Sequence, residues 1–365
     1  MRILELTNFS SGICGVWQRV KQESIELSKK GHEVLIVSSR RIQGSNEIAP
    51  KKENFGKVKA IRLPSIKVTR GGSTIFNFAK IAREFKPDII IVHAYRQFHA
   101  TKAIQTAKKL NAKVFLVTHA PFIEKNLTRT FFETLAVKIY DKFFGPKTIH
   151  KFDKVLYITK WEVPYLENLG AKKEKLAYMP NGIPDEFFTQ PKSFSNKNKI
   201  LFLGRISPVK QLETVIEALS LLKDGTIFEI VGPAEKKYLR KLKEIVGEKQ
   251  LENQVIFSKP IFDIKEKIEK IDSADFFVLP SKREAMPQSL IEAMAREKTV
   301  LASDNRGAKE IVQHGKNGLI FKRGNPKDLA EKILQAKKKN LGKAAKKSVK
   351  QFKWGELVKK LEGLF

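Results

Sequence analysis

The sequence predicts an α/β protein built from two doubly wound parallel-sheet domains, and three observations predict it. Short runs rich in Val, Ile, Leu and Phe alternate with amphipathic runs of helical period. The strand-like runs are apolar at successive positions, as strands covered by helices on both faces require. The rhythm pauses once, at "PDEFFTQPKSFSNKN" (184–198), rich in Pro, Ser and Asn, and then restarts. With 365 residues and 42% hydrophobic composition, the chain is long enough for about two cores.

The first half opens with the strand "RILELT" (2–7). The helix "VWQRVKQESIELSKKG" follows, with Val16, Val20 and Leu27 near helical spacing and Gly31 as its stop. "HEVLIVSS" completes a β–α–β unit, and "PDIIIVHA" (87–94), "AKVFLVTHA" (112–120) and "DKVLYIT" (153–159) continue it. "FFETLAVKIYDKFFGPKTIHKF" (131–152) interleaves aromatic and aliphatic residues with Lys. It reads either as a core helix or as a basic amphipathic face on a membrane. The second half repeats the pattern: "KILFLGR" (199–205), the helical "QLETVIEALSLL", then "FEIVG", "QVIFS", "ADFFVLP", "TVLAS" and "NGLIF". From about residue 327 the tail is Lys-rich and amphipathic, hence helical.

The formal net charge is +31, carried by dispersed lysines. Nucleic acid, an anionic membrane and a simply basic surface compete to explain it. Outside 131–152, aromatic residues do not interleave with the lysines as in a single-strand stacking platform, which places nucleic acid last. The single cysteine, Cys14, excludes an intrachain disulfide and a four-thiolate zinc site. No run approaches the roughly 20 apolar residues of a membrane span, and "MRILELTNFSSG" lacks a signal-peptide pattern. The expectation is a cytoplasmic protein, soluble or peripheral on the inner face of the cell membrane.

Doubly wound sheets bind ligands beyond the carboxyl ends of their strands, so the residues just after strands carry the chemistry. After the first strand, "TNFSSGICGVWQR" holds Gly12 and Gly15, which let a phosphate approach a helix start. In "LGRISPVKQLETVIEAL", Arg205 and Lys210 flank a turn containing Pro208 before a helix, a diphosphate clamp. In "FVLPSKREAMPQSLIEAMA", Glu284 precedes a helix and Glu292 lies inside it. Pro287 suits the first helical turn, and the amides near Gln288 and Ser289 suit phosphate oxygens. The two acids suit sugar or ribose hydroxyls.

With these residues in place, the chain resembles the retaining GT-B glycosyltransferases of family four. "GRISPVKQ" and "PSKREAMPQSLIEAMA" resemble the family's G-R-x-x-P-x-K-G loop and its P-S-x-x-E-G-x-P…E-A-M-A element. "YMPNGIP" (178–184), "SDNRGAKEIVQHGKNGLIF" and "FKW" (352–354) resemble its flanking segments. The resemblance spans essentially the whole chain and is most specific over 178–322. It departs from the family at Cys14–Gly15, at Gln211 for a usual glycine, at Ala285–Met286 for Gly–Phe, and at Ile183–Pro184.

The resemblance implies two Rossmann-like domains facing across a cleft. The acceptor-side domain spans 1–184 and the nucleotide-sugar domain 185–349, with a last helix near 350–365 packed back onto the first. It implies that Arg205 and Lys210 neutralise the leaving diphosphate, Glu292 holds the ribose and Glu284 contacts the donor sugar. Gly15 would lie near the phosphate, His119 beside the donor sugar, Ile261 near the base, and Met286, Pro287, Gln288 and Ser289 along the nucleotide sugar. His93 would line the acceptor cleft. No metal and no cofactor are expected, because the two cations supply the positive charge. Asp272 and Asp275, three apart, read as surface acids rather than a D-x-D metal element.

The implied activity moves a hexose from a UDP- or GDP-sugar to a glycan or lipid-linked acceptor, with possible contact to an anionic membrane. A glucan or disaccharide synthase with a soluble acceptor is the alternative on the same fold. A basic nucleic-acid-binding protein is the alternative of another class, and it leaves the Arg205/Lys210 and Glu284/Glu292 arrangement unexplained.

Overall fold

The computed structural model describes residues 1–12, 14–42, 47–68, 73–122, 131–191 and 198–365. Of the expected linker, 192–197 lies outside the described residues, while Asp185–Phe188 forms a 3-10 turn that buries Phe187. The chain divides into two compact units, Met1–Gly182 with Trp354–Phe365, and Ile183–Lys353.

The first unit contains β1 (Arg2–Phe9), α1 (Gly15–Lys29), β2 (Glu33–Ser39), β3 (Lys52–Phe55), β4 (Val58–Leu63), β5 (Ile66–Lys67) and β6 (Thr74–Ile75). It continues with α2 (Ala79–Phe85), β7 (Ile89–His93), α3 (Phe98–Leu110), β8 (Lys113–Val117), α4 (Phe131–Ile139), α5 (Gly145–Ile149), β9 (Lys154–Tyr157), α6 (Val163–Asn168) and β10 (Leu176–Tyr178). Its main sheet runs β10-β9-β8-β7-β1-β2-β4-β3, with β5 and β6 paired separately. Strand order therefore reverses beside β1, where β2 lies on one side and β7 on the other. Every pairing in the main sheet is parallel except β3 with β4. That hairpin turns on Gly56 at φ 61°, and the sequence hides it as a Lys-rich stretch of alternating burial.

The C-terminal helix Trp354–Glu362 belongs to this unit. It buries Trp354, Leu357, Val358 and Leu361, and the Arg19 guanidinium lies 5.6 Å from the Trp354 ring centroid. Residues 350–352 form a separate 3-10 turn that counts with the second unit.

The segment 131–152 is not the core helix that one reading of the sequence expects. It is α4, a π turn at Tyr140–Phe144, and α5. Phe132 is 79% exposed, and Leu135, Ile139, Phe143 and Phe144 are exposed with it. Only Gly145 and Ile149 of α5 are buried.

The second unit contains β11 (Lys199–Leu203), α7 (Glu213–Leu222), β12 (Ile227–Val231), α8 (Lys236–Glu248), β13 (Val255–Ser258), α9 (Ile264–Asp272) and β14 (Phe276–Leu279). There follow α10 (Gln288–Ala295), β15 (Thr299–Ser303), α11 (Arg306–Lys309), β16 (Leu319–Phe321), α12 (Pro326–Lys338) and α13 (Gly342–Val349). The sheet order is β13-β12-β11-β14-β15-β16, all parallel, so it reverses between β11 and β14. Gly232, after β12, admits the loop after β11: a Cβ there would stand 1.9 Å from the Gly204 carbonyl oxygen.

Asp272 is not a surface acid. It is 2% exposed and takes two hydrogen bonds from Arg296, Nε at 2.8 Å and Nη2 at 2.5 Å. Arg296 also donates to the carbonyls of Phe187, Thr189 and Gln190, so one guanidinium ties the unit's entry segment to its core. Asp275 instead accepts the Lys199 amide at 2.8 Å. Arg296→Met strands the Asp272 carboxylate and the three carbonyls, and a cost of about 3–5 kcal/mol follows. Urea unfolding of the full chain checks it, and Asp272→Leu added to Arg296→Met should recover part of the loss. A cost below about 1 kcal/mol for Arg296→Met would refute this role.

Candidate functional site

In the second unit the strand reversal places the loops after β11 and β14 side by side. The Lys282 amide donates to the Val209 carbonyl at 2.8 Å, tying one loop to the other. Arg205 is exposed just beyond β11. Pro208–Lys210 forms a 3-10 turn closed by Gln211 at φ 48°. That left-handed backbone explains why glycine suits the position, and glutamine adopts it at about 1–2 kcal/mol.

Lys210 Nζ lies 2.5 Å from Glu284 Oε1, and both side chains are mostly buried. The phosphate-clamp lysine and the sugar-facing acid of the sequence reading thus form a direct ion pair. Glu292, 6% exposed on α10, is held by Lys267 of α9 at 2.6 Å. Met286 and Pro287 are buried, Gln288 and Ser289 half-buried, and Ile261 half-buried in the loop between β13 and α9. Pro287 caps α10 rather than entering its first turn, because its ψ of 102° is extended. The amides of that first turn have no intrahelical acceptor. Gly307 of α11 packs on this turn, where a Cβ would lie 2.7 Å from the Glu284 carbonyl oxygen and 2.6 Å from that of Ala285.

In the first unit, Gly15 opens α1, and a Cβ there would meet nothing within 4 Å. His119, half-buried after β8, and Ala120 both have positive φ, 57° and 49°. Their turn is held by Glu162, which accepts the Ala120 amide at 3.0 Å. His93 does not line a cleft. It is fully buried, with Nε2 2.6 Å from Glu5 Oε2 and Nδ1 3.0 Å from His119 Nε2. Beside it Arg19 donates to Glu23 at 2.9 Å and to the Met179 carbonyl at 2.8 Å. Burial pushes Glu5 up to about 8 against the pull of Arg19, and pushes His93 down to about 3. Burial likewise raises Glu23 and holds His119 well below the ordinary histidine value.

Glu5, Glu23 and His93 bring ligand atoms within 4.8 Å of one another. The set does not suit a cation. Glu23 already holds Arg19, Glu5 already holds His93, and the guanidinium supplies the positive charge.

Sequence reasoning missed Glu5, Arg19, Glu23, Glu162 and Lys267. Glu5 carried a signal, an acid inside the continuous apolar strand "ILELT". Arg19 and Glu23 carried another, an i,i+4 pair on a helix that covers the sheet. Lys267, in "KEKIEK", is one lysine among many.

The model described as Glycosyltransferase Family 4 matches residues 13–187, and that described as Glycosyl transferases group 1 matches 184–353. The chain belongs to the GT-B group 1 glycosyltransferases. An uncharacterized glycosyltransferase of Methanocaldococcus jannaschii is 27% identical over 307 residues, 81% of each chain. An N,N'-diacetylbacillosaminyl-diphospho-undecaprenol alpha-1,3-N-acetylgalactosaminyltransferase of Campylobacter jejuni is 28% identical over 201 residues, covering 51% of this chain and 51% of that one. The chain thus spans most of the first relative and about half of the second. A sucrose-phosphate synthase of Thermosynechococcus elongatus has a similar fold, with TM-score 0.77, 18% identity and coverage of 100% of this chain and 98% of that one. Anabaena HepE in complex with UDP and glucose gives TM-score 0.74 at 17% identity, again covering 100% and 98%.

The Glu284 turn of this glycosyltransferase depends on the close approach of Gly307. Gly307→Ala forces backbone apart and should cost about 1–3 kcal/mol. Gly247→Ala, in α8 with 3.7 Å to its nearest atom, should be neutral or stabilising by up to about 1 kcal/mol. Equal thermal melting of the two variants would contradict the packing argument.

Proposed function

We propose that this glycosyltransferase moves a hexose from a UDP- or GDP-sugar to a hydroxyl of a glycan or lipid-linked acceptor, with retention of configuration and without a metal. The observation that carries the reading is the Lys210–Glu284 pair at the strand reversal, on the loop that Arg205 opens after β11. As the anomeric C–O bond breaks, negative charge collects on the departing diphosphate. Arg205, Lys210 and the first-turn amides of α10 meet that charge, each well-placed donor lowering the barrier by about 3 kcal/mol. When phosphate oxygens take the Lys210 ammonium, the Glu284 carboxylate is released to accept hydrogen bonds from sugar hydroxyls. Glu292, steadied by Lys267, accepts from the ribose. His119 offers a hydrogen bond to the sugar.

The exposed face of Phe132, Leu135, Ile139, Phe143 and Phe144 favours a lipid-linked over a soluble acceptor. Lys138, Lys142, Lys147 and Lys151 are exposed on the same segment, while Asp141 is held by Arg96 at 2.5 Å. The face is therefore basic as well as apolar, the combination that adsorbs to anionic lipid. The undecaprenol-linked substrate in the name of the Campylobacter jejuni relative supports the same reading. Among the described residues no helix is long and apolar enough to cross a membrane.

A thermal-shift screen with UDP, GDP, ADP and their sugars should raise the melting temperature for one nucleotide. Arg205→Ala and Lys210→Ala should each lower kcat with that donor by about 10²–10³-fold, in buffers with or without EDTA. Wild-type turnover in both variants would sink the clamp, and an inverted anomeric centre in the product would sink retention. In flotation at low salt the protein should rise with anionic vesicles and not with neutral ones. Phe143→Ser with Phe144→Ser should reduce that binding about tenfold or more. Equal recovery with both vesicle types would overturn the membrane face.

A further inference from the structure

β1, β7 and β8 are neighbours in the first sheet, and each contributes one ionisable side chain to a continuous row. Glu5 comes from β1, His93 from the end of β7, and His119 from just beyond β8. The row runs Glu5 Oε2 to His93 Nε2 at 2.6 Å, then His93 Nδ1 to His119 Nε2 at 3.0 Å. Glu5 and His93 are fully buried, while His119 is half-buried. His119 Nδ1 makes no hydrogen bond among the described residues, and His119, the one half-buried member, ends the row.

We propose that Glu5 holds a proton at neutral pH and, acting through His93, fixes His119 as the tautomer whose Nδ1 carries hydrogen, making His119 a donor to the sugar. Glu5 and His93 are then positioning residues for His119. The proposal rests on the glycosyltransferase reading only for the role of His119, not for the proton order.

Two neutral-histidine patterns satisfy both contacts. If Glu5 is an acid, its O–H donates to His93 Nε2, His93 Nδ1–H donates to His119 Nε2, and His119 Nδ1 bears hydrogen. If Glu5 is a carboxylate, His93 Nε2–H donates to it, His119 Nε2–H donates to His93 Nδ1, and His119 Nδ1 is bare. The surroundings choose the first. The facing charges are Arg19 and Glu23 from α1, with His99 from α3 bonding the His93 carbonyl and Glu162 bonding the His119–Ala120 turn. Two carboxyls share one guanidinium, and Glu23 is the one in direct contact with it. Glu5 Oε1 is buried without a partner among the described residues, as is Glu23 Oε1, but only Glu23 has the guanidinium in contact to offset its charge. An anion with an orphan oxygen in a dry site costs more than the neutral acid. Burial agrees, pushing Glu5 up to about 8.

Raising the pH through that value removes one proton overall. The Glu5 hydrogen passes to His93 Nε2, the His93 Nδ1 hydrogen passes to His119 Nε2, and the His119 Nδ1 hydrogen leaves to solvent. No other bond changes. A buried acid is thereby read out as donor or acceptor at a half-buried ring.

Nitrogen-15 histidine spectra of the unliganded full chain test the proton order without any substrate. At pH 7 the His119 signals should show a protonated Nδ1, moving to a protonated Nε2 as pH rises through about 8. A bare Nδ1 at pH 7 overturns the proposal. Turnover supplies the second arm. Wild-type kcat should decline above about pH 8, approaching tenfold per pH unit. Glu5→Gln presents an amide N–H in place of the acid and should abolish that decline, whatever its absolute rate. Glu5→Ala breaks the row, and its kcat should fall at every pH with little change in KM for the donor. An unchanged alkaline decline in Glu5→Gln refutes the relay. If the spectra behave as stated but His119→Ala turns over normally, the relay stands and the sugar-facing role of His119 falls.

Discussion

A parallel sheet delivers every strand's carboxyl end to one edge, and at one point along that edge the chain leaves in opposite directions. No crossover covers that point, so two loops open side by side. In the second unit the reversal lies between β11 and β14, and Arg205, Lys210, Glu284 and Glu292 all follow those strands. In the first unit it lies beside β1, where Glu5 meets His93 and Gly15 opens the helix that follows. Backbone pairing makes the site before any side chain acts. The side chains then use proximity that the sheet supplies, and for that reason residues 74 apart in sequence, Lys210 and Glu284, meet at hydrogen-bond distance.

Buried charge follows a second rule. Arg19, Arg62 and Arg296 are essentially fully buried, and no lysine is buried to that degree among the described residues. A guanidinium has five donors in a fixed fork, so it can satisfy a carboxylate and several carbonyls together. Arg296 does so with Asp272 and the segment 187–190, Arg62 with Glu53, Ser10 and Pro50, and Arg19 with Glu23 and the segment 179–181. Each holds a connecting segment by its backbone carbonyls or side-chain oxygens. The lysines stay outside because an ammonium is more strongly hydrated and lacks the planar fork that meets a carboxylate and several carbonyls at once.

The strands were legible because buried parallel strands are apolar on both faces, and nearly every such run in the sequence is a strand of one of the two sheets. The hairpin β3–β4 was not, since its outer face is solvated and its lysines read as surface. Arg205, Lys210, Glu284 and Glu292 were legible because each directly follows a strand or lies in the helix after one. The role of His93 was misread because a histidine at a strand end looks the same whether it faces a cleft or a neighbouring strand. Only the register of β1 against β7 brings Glu5 to it. Asp272 was misread for the same reason, as its partner Arg296 lies 24 residues away.

The excess of positive charge and the site do different work. A formal charge of +31 raises the potential around the whole molecule and draws in any anion, diphosphate or lipid headgroup alike. Such a field cannot choose. At the strand reversal, by contrast, Lys210 is cancelled by Glu284 and Lys267 by Glu292, so each resting pair is locally neutral. An anion that binds there must displace a carboxylate at 2.5 Å, and it gains most when it brings hydroxyls for that carboxylate to hold. A diphosphate joined to a sugar supplies both, whereas inorganic phosphate supplies only the first. On the proposed function, the pairing of acid with base would convert a nonselective attraction into recognition of a molecule with charge and hydroxyls side by side.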